Sequence, residues 1–282
     1  MKLSVAAPAK LNLFLHVVGR RADGYHLLQS AFALLDFGDT LHLTLRDDGI
    51  INRTSVLAGV EAEADLVVRA ARRLQRESST PLGADIAVEK HIPMGGGLGG
   101  GSSDAASILL GLNHLWRLNI PRARLQAMAL SLGADVPFFV FGRNAWVEGV
   151  GEALQPLDLP AWWYVVLTPS AQVSTPLIFS HPELTRDSIP LKIADFSAVG
   201  LAGLKNDLQP VVFKVFPEVS VSFRALHAVS QKSIFGARMT GSGACVFAAF
   251  ETESDARDVW STLHPEHKGF VAQGLQKHPL GD

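Results

Sequence analysis

Between Pro93 and Ser103 the chain reads Pro93-Met94-Gly95-Gly96-Gly97-Leu98-Gly99-Gly100-Gly101-Ser102-Ser103, with six glycines in seven positions. Glycine loses more backbone entropy on folding than any other residue. Such a run makes physical sense where the main chain must approach a ligand closely and turn several N–H groups toward it. Behind it, Ala105, Ile108, Leu109, Leu112 and Leu115 recur at helical spacing, and Ser102, Ser103 and Asp104 suit the N-cap and first turn. A helix start adds unpaired N–H donors and the positive end of the helix dipole, and the combination suits the phosphates of a nucleotide. The alternatives are a flexible linker or a tight turn, but a linker would not lead straight into a capped apolar helix.

Known nucleotide schemes fit poorly. Gly95, Gly97 and Gly100 satisfy G-x-G-x-x-G, but a loop saturated with glycine does so almost trivially. A dinucleotide fold needs a buried strand before the loop and an acidic residue about 20 positions on. Here Glu89, Lys90 and His91 precede the loop, and positions 115–125 hold no Asp or Glu. No Lys follows the last glycine, which excludes a P-loop, and protein-kinase signatures are absent.

The 282 residues are long for one domain and comfortable for two. With 48% apolar and 18% charged residues the chain can bury a core. The 25 Lys and Arg against 27 Asp and Glu offer no bulk attraction for nucleic acid or an acidic membrane. A single cysteine, Cys245, excludes a disulfide framework and a multi-thiolate zinc site. No apolar stretch has the length of a membrane helix, and the apolar segment after Lys2 is too short for a signal peptide. The expectation is a soluble, cytoplasmic protein.

Leu11, Leu13, Leu15 and Val17 alternate with Asn12, Phe14 and His16, the period of a strand with one buried face, and this puts Lys10 and Asn12 together on the other face. Leu41, Leu43 and Leu45 repeat the pattern, and Asp47-Asp48-Gly49 is a turn signal that would close a hairpin. Residues 62–77 read as a helix with Arg69, Arg72, Arg73 and Arg76 opposite its apolar stripe; a solvated surface is preferred there to a phosphate-binding face. Further helices are expected at about 121–132 and 217–229. Asp135 lies in a loop past a helix end, where an Asx turn is the ordinary explanation for it. A proline-rich loop extends to about Pro190, the strand 244–250 follows a second glycine turn, and Ser254 would cap the last helix. The texture changes near Pro156, giving expected domains 1–156 and 157–282. Strands and helices without regular alternation point to an α+β fold.

Pro8-Ala9-Lys10-Leu11-Asn12-Leu13, the glycine run and Gly241-Ser242-Gly243 resemble the three motifs of the GHMP small-molecule kinases. Ala22-Asp23-Gly24-Tyr25-His26, Gly133-Ala134-Asp135-Val136-Pro137 and Thr240-Gly241-Ser242-Gly243-Ala244-Cys245 narrow the resemblance, over about residues 5–250, to the branch that phosphorylates a cytidine diphosphate derivative of methylerythritol in the non-mevalonate isoprenoid route. The resemblance implies a two-domain architecture, with residues 1–156 binding ATP, residues 157–282 binding substrate, and the active site in the cleft between them. It implies ATP-dependent phosphorylation of the substrate's 2-hydroxyl, with Mg²⁺ arriving on ATP and no tightly bound cofactor. Catalysis falls to Asp135 as proton acceptor and Lys10 as the stabilising cation. Residues 93–103 would hold the nucleotide, completed by Gly241, Ser242 and Gly243. Asn12, Tyr25, His26, Thr175 and Phe179 would hold the substrate, with Tyr25 and Phe179 on opposite faces of the cytosine. The partners implied are ATP and this small molecule, with neither nucleic acid nor membrane. Ser102, Ser103 or Asp104 could touch Mg²⁺, but first-turn roles explain them equally well, so no metal ligand is expected.

Two other readings compete. Another GHMP kinase, for mevalonate, homoserine or a sugar, would have no need of Tyr25, His26 and Phe179. A catalytically silent ligand-binding relative would have no need of both Lys10 and Asp135.

Overall fold

Alternating leucines and valines in the first fifty residues build two long strands, Lys2–Arg20 (β1) and His26–Arg46 (β2), paired antiparallel from Lys2 opposite Thr44 to Arg20 opposite His26. The computed structural model describes residues 1–56, 61–194, 196 and 200–281. The connecting turn is the Asp23-Gly24 pair: Gly24 has φ +92°, and the Asp23 carboxylate accepts from the Tyr25 N–H at 3.2 Å. Register slips between Pro8 and Lys10, where proline has no N–H to give.

The other strands are Ile51–Arg53 (β3), Gly83–Glu89 (β4), Ala145–Glu148 (β5), Ala153–Pro156 (β6), Trp163–Leu167 (β7), Arg238–Met239 (β8), Val246–Phe250 (β9) and Gly269–Leu275 (β10). They form one mixed sheet in the order β3-β4-β2-β10-β7-β9-β8, with β1 and β5 also on β2 and β6 on β5. Helices Leu66–Ser78 (α1), Gly100–Leu115 (α2), Arg122–Leu130 (α3) and Val136–Phe141 (α4) pack on the sheet's first part. Thr175–Ser180 (α5), Pro217–Val229 and Glu253–Leu263 cover the second. The class is α+β, as expected.

Several local expectations change. The alternation in β1 predicts one open face, yet Lys10 is 3% and Asn12 2% exposed. The second half closes over that face: the Leu15 N–H donates to the Lys205 carbonyl at 3.0 Å and the Asn12 N–H to Thr240 Oγ1 at 2.9 Å. The turn at 47–49 closes no hairpin onto β2. Strand β4 takes that place, antiparallel to β2, and β3 lies outside it in parallel. Gly83 permits this, since a Cβ there would stand 2.2 Å from the Ile50 carbonyl. Helix α1 starts at Leu66 rather than near 62, because the Asp65 carboxylate caps it through the Val67 N–H at 3.0 Å. Its arginines are surface residues, with Arg72 paired to Glu63 and Arg73 to Glu77. The last helix is capped by Thr252, which accepts from the Asp255 N–H, not by Ser254. The expected proline-rich loop contains α5.

The chain does not leave its first half behind at residue 156. Strand β10 pairs with both β7 and β2. At its end Asn144 donates to the Leu275 carbonyl at 2.9 Å; beyond it, Arg122 donates to the Leu280 carbonyl at 2.8 Å and the His278 N–H to the Gly142 carbonyl at 2.8 Å. His278 Nε2 also meets Ser107 Oγ at 3.2 Å.

Cys245 is buried, and burial pushes its thiol up to about 12. A thiol reagent at mildly alkaline pH should therefore leave the native chain unmodified and label it once on unfolding, since the thiolate is the reactive form. Labelling of native protein at the rate of a free thiol would contradict this placement.

Candidate active site

Gly95, Gly97 and Gly99 have φ of +70°, +75° and +75°, which side-chain-bearing residues rarely adopt. The loop they form is tied to the protein on two sides. The Lys10 N–H donates to the Leu98 carbonyl at 3.0 Å, and the N–H groups of Ala244 and Cys245 donate to the carbonyls of Gly95 and Gly96 at 3.2 and 3.1 Å. Helix α2 begins directly at Gly100 with Gly99 as its N-cap, and no side chain caps it. Its first N–H groups have no intrahelical partner and open on a cavity of about 1020 Å³. An anion fits that end. Ser102, Ser103 and Asp104 thus lie within the first turns and are not caps.

The cavity is lined by both halves of the chain. Lys10, Asn12, Tyr25, His26, residues 93–102 and Asp135 come from the first, and Thr175, Phe179 and residues 241–243 from the second. Ser103 alone among the expected site residues stands outside: it is fully buried and its hydroxyl donates to the Pro8 carbonyl at 2.6 Å. One step along the helix has turned it back onto β1.

Lys10 and Asp135 meet at 3.3 Å between Nζ and Oδ2. Asp135 occupies the N-cap position of α4, yet its carboxylate makes no cap hydrogen bond, so the Asx-turn explanation does not hold. Lys10 also donates to Asn12 Oδ1 and lies 4.6 Å from the centre of the Phe32 ring. Asn12 in turn donates to Ser30 Oγ at 3.0 Å. A buried ammonium held by a carboxylate, an amide and a ring is fixed in position, while Asp135 keeps about a third of its side-chain surface open. The pair offers a proton acceptor and a cation at one point of the cavity.

Sequence reasoning missed a second charged cluster beside the loop. Lys90 bridges Asp39 and Asp104, the latter at 2.8 Å. Burial works against the Lys90 ammonium, but Asp104 and Asp39 outweigh it and hold its pKa above the ordinary value. Burial pushes the Asp104 carboxyl up to about 7, against the pull of Lys90. Ser30 was missed as well: it lies opposite Leu15, across a register shift from Asn12, and a single sequence does not display registers. Thr240 stood in the quoted motif, but its bond from the Asn12 N–H was not foreseen.

At the far end of the cavity Tyr25 is 65% exposed. Phe179, on α5, lies 5.1 Å from the His26 ring. Thr175 Oγ1 meets Ser242 Oγ at 2.7 Å, which joins α5 to the second glycine turn.

Two predictions follow from the loop and its neighbour. A Cβ at Gly97 would stand 2.3 Å from the Thr240 carbonyl, whereas one at Gly101 meets nothing closer than 3.6 Å. Gly97→Ala should therefore lower the unfolding midpoint and Gly101→Ala should not; the close approach that glycine permits at Gly97 is to protein. Equal midpoints for the two variants would contradict this. The second concerns Asp104. A carboxyl whose native pKa is raised keeps a proton that the unfolded chain has released, so its contribution to stability falls as pH rises from 3.8 to about 7. Asp104→Asn removes that slope, and its midpoint should gain on the parent's over this range; a difference flat in pH would count against it.

The chain resembles known proteins over its whole length. Residues 65–143 match the GHMP kinases N terminal domain and residues 192–267 the GHMP kinases C terminal. The chain is 60% identical to 4-diphosphocytidyl-2-C-methyl-D-erythritol kinase of Thiobacillus denitrificans, covering 100% of this chain and 99% of the relative. It is 56% identical to the enzyme of the same name from Janthinobacterium sp. (strain Marseille), covering 97% and 95%. Among solved structures, a crystal structure of 4-(cytidine 5'-diphospho)-2C-methyl-D-erythritol kinase superposes with TM-score 0.81 at 34% identity, covering 96% of this chain and 99% of that one.

Proposed function

The chain belongs to the 4-diphosphocytidyl-2-C-methyl-D-erythritol kinases of the GHMP superfamily, and on that premise we propose that it transfers the γ-phosphoryl group of ATP to the 2-hydroxyl of this substrate, with Asp135 and Lys10 at the reacting centre. The contact between those two residues carries the reading: a partly open carboxylate and a buried ammonium, 3.3 Å apart, on the wall of a cavity shared by both halves.

Phosphoryl transfer asks mainly for alignment and charge stabilisation. The uncapped start of α2 and the N–H groups of residues 95–102 cradle the triphosphate. Asp135 accepts the proton of the attacking hydroxyl, and the Lys10 ammonium stabilises negative charge on that oxygen. Asn12 and Phe32 hold Lys10, so little reorganisation accompanies the step. Tyr25, His26, Thr175 and Phe179 bind the cytidine end, so the expected halves 1–156 and 157–282 share the substrate side, while most of the nucleotide side comes from residues 93–102 of the first. Among the described residues no group of three or more His, Cys, Asp or Glu could hold a metal ion, and Asp104 is engaged by Lys90. We therefore read Mg²⁺ as arriving on ATP, where it would offset the charge of the phosphates. A cytoplasmic location belongs to the same proposal.

Asp135→Asn should cut kcat by about 10²- to 10⁴-fold with ATP saturating, the range of a positioned general base. Lys10→Met should cut it too while leaving an apolar stem in the buried site. Near-parent turnover of Asp135→Asn would remove Asp135 from the base role. Tyr25→Ala should cost about 1–3 kcal/mol of binding for the cytidine substrate, a stacking contribution, with ATP affinity unchanged. Equal use of homoserine, mevalonate or galactose by the parent would overturn the substrate assignment.

A further inference from the structure

Arg186 does not border the cavity, yet it joins three pieces of its substrate end. Its Nε–H donates to His26 Nε2 at 3.1 Å, and Nη1 donates to the Leu184 carbonyl at 3.0 Å. Nη2 donates to the carbonyls of Phe179 at 3.0 Å and His181 at 2.8 Å. All three guanidinium nitrogens are engaged, a use of arginine's planar fork that no other side chain reproduces. The start of β2, which carries His26, is thereby fixed to the end of α5, which carries Phe179.

A guanidinium N–H can only donate. The contact therefore requires a lone pair on His26 Nε2, so the imidazole is neutral and carries its proton on Nδ1. The charged and titratable groups around the ring favour that state. Arg20 faces His26 from the opposing position on β1, and Arg186 faces it from the segment after α5. The Arg21–Asp23 ion pair occupies the adjoining turn, and His181 lies beside Arg186. Burial, then Arg186, then Arg20 hold the His26 pKa below its ordinary value. His26 lines the cavity, and no side-chain hydrogen bond among the described residues uses its Nδ1.

We propose that Arg186 is a positioning residue for base recognition, fixing His26 as the Nδ1–H tautomer so that the ring presents a hydrogen-bond donor to an acceptor on the edge of the substrate's pyrimidine. The inference rests on the substrate reading above. Cytosine has an unprotonated ring nitrogen at N3, where uracil carries N–H. A donor fixed opposite that atom pairs with cytosine and leaves two donors facing each other with uracil, which costs binding.

The tautomer can be read without substrate, from nitrogen NMR of the full chain labelled at histidine. In the parent, His26 should show a protonated Nδ1 and an unprotonated Nε2 at neutral pH; the reverse assignment would overturn the proposal. Kinetics supply the second measurement. Arg186→Met frees the neutral ring to take the other tautomer, and KM for the cytidine substrate should rise roughly 3- to 10-fold at mildly alkaline pH, the worth of one hydrogen bond. The ratio of kcat/KM for the cytidine and uridine versions should fall, with kcat and the KM for ATP little altered. As pH drops below the ordinary histidine pKa, the imidazolium of the variant regains Nδ1–H and the KM gap should narrow. Arg186→Lys, which still offers Nε2 a donor, should recover part of the loss. A parental KM in Arg186→Met, or a gap constant in pH and unrelieved by lysine, would reduce Arg186 to a loop brace and overturn the proposal. An inert parent would instead overturn the substrate reading, and the recognition step with it, while the spectrum still decides the tautomer.

Discussion

Two glycine turns from opposite ends of the chain touch through their backbones, and the site exists only because they do. Gly97 lies where any Cβ would strike the Thr240 carbonyl, and Gly241 where one would stand 3.1 Å from the Gly97 carbonyl. Between them, Asn12 donates its N–H to Thr240 while Lys10 donates its own to Leu98. The strand that carries the cation, the loop that holds the anion and the turn that closes the cavity are therefore set by one small cluster of main-chain contacts. A change at any of the three shifts the other two, because a close-packed interior transmits displacement rather than absorbing it.

The electrostatics rest on that frame. Lys10 is a cation taken almost wholly out of water, a costly state unless partners surround it. Asp135, Asn12 and Phe32 surround it from three elements. Lys90 is treated in the same way by Asp39 and Asp104 a short distance along the loop. Two cations, each held by carboxylates, thus flank the end of the cavity at which a nucleotide's phosphates fit. Their partners offset the cost of burying them, and a bound polyanion would meet both in a medium where charge interactions are strong.

Much of this was legible in the residues. Entropy alone singles out a glycine run leading into an apolar helix, and the elements around it followed from period and turn chemistry. Asp23-Gly24 formed its turn and residues 217–229 their helix. Apart from the helix starts at Asp65 and Thr252, what failed depended on partners distant in sequence. The exposed face of β1 was buried by the second half, the turn at 47–49 lost its hairpin to β4, and Ser103 turned away from the cavity onto Pro8. Arg186 left no mark at all, since a lone arginine in a proline-rich stretch reads as surface until its three carbonyl acceptors are seen. Alternation reports that one face is apolar; it does not report what will cover the other.

The return of the last residues to the first half bears on how the molecule is made. Arg122, Asn144 and Ser107 all wait for partners at positions 275–280, and β2 waits for β10. A ribosome delivers those partners only after the glycine loop, Asp135 and most of the sheet have been made. The nascent chain therefore carries an open stretch of β2 and three polar side chains short of these partners while everything between residue 144 and residue 275 is made. The first half therefore closes late, and α2, which starts at the nucleotide end of the cavity, meets His278 through Ser107 only when those residues arrive.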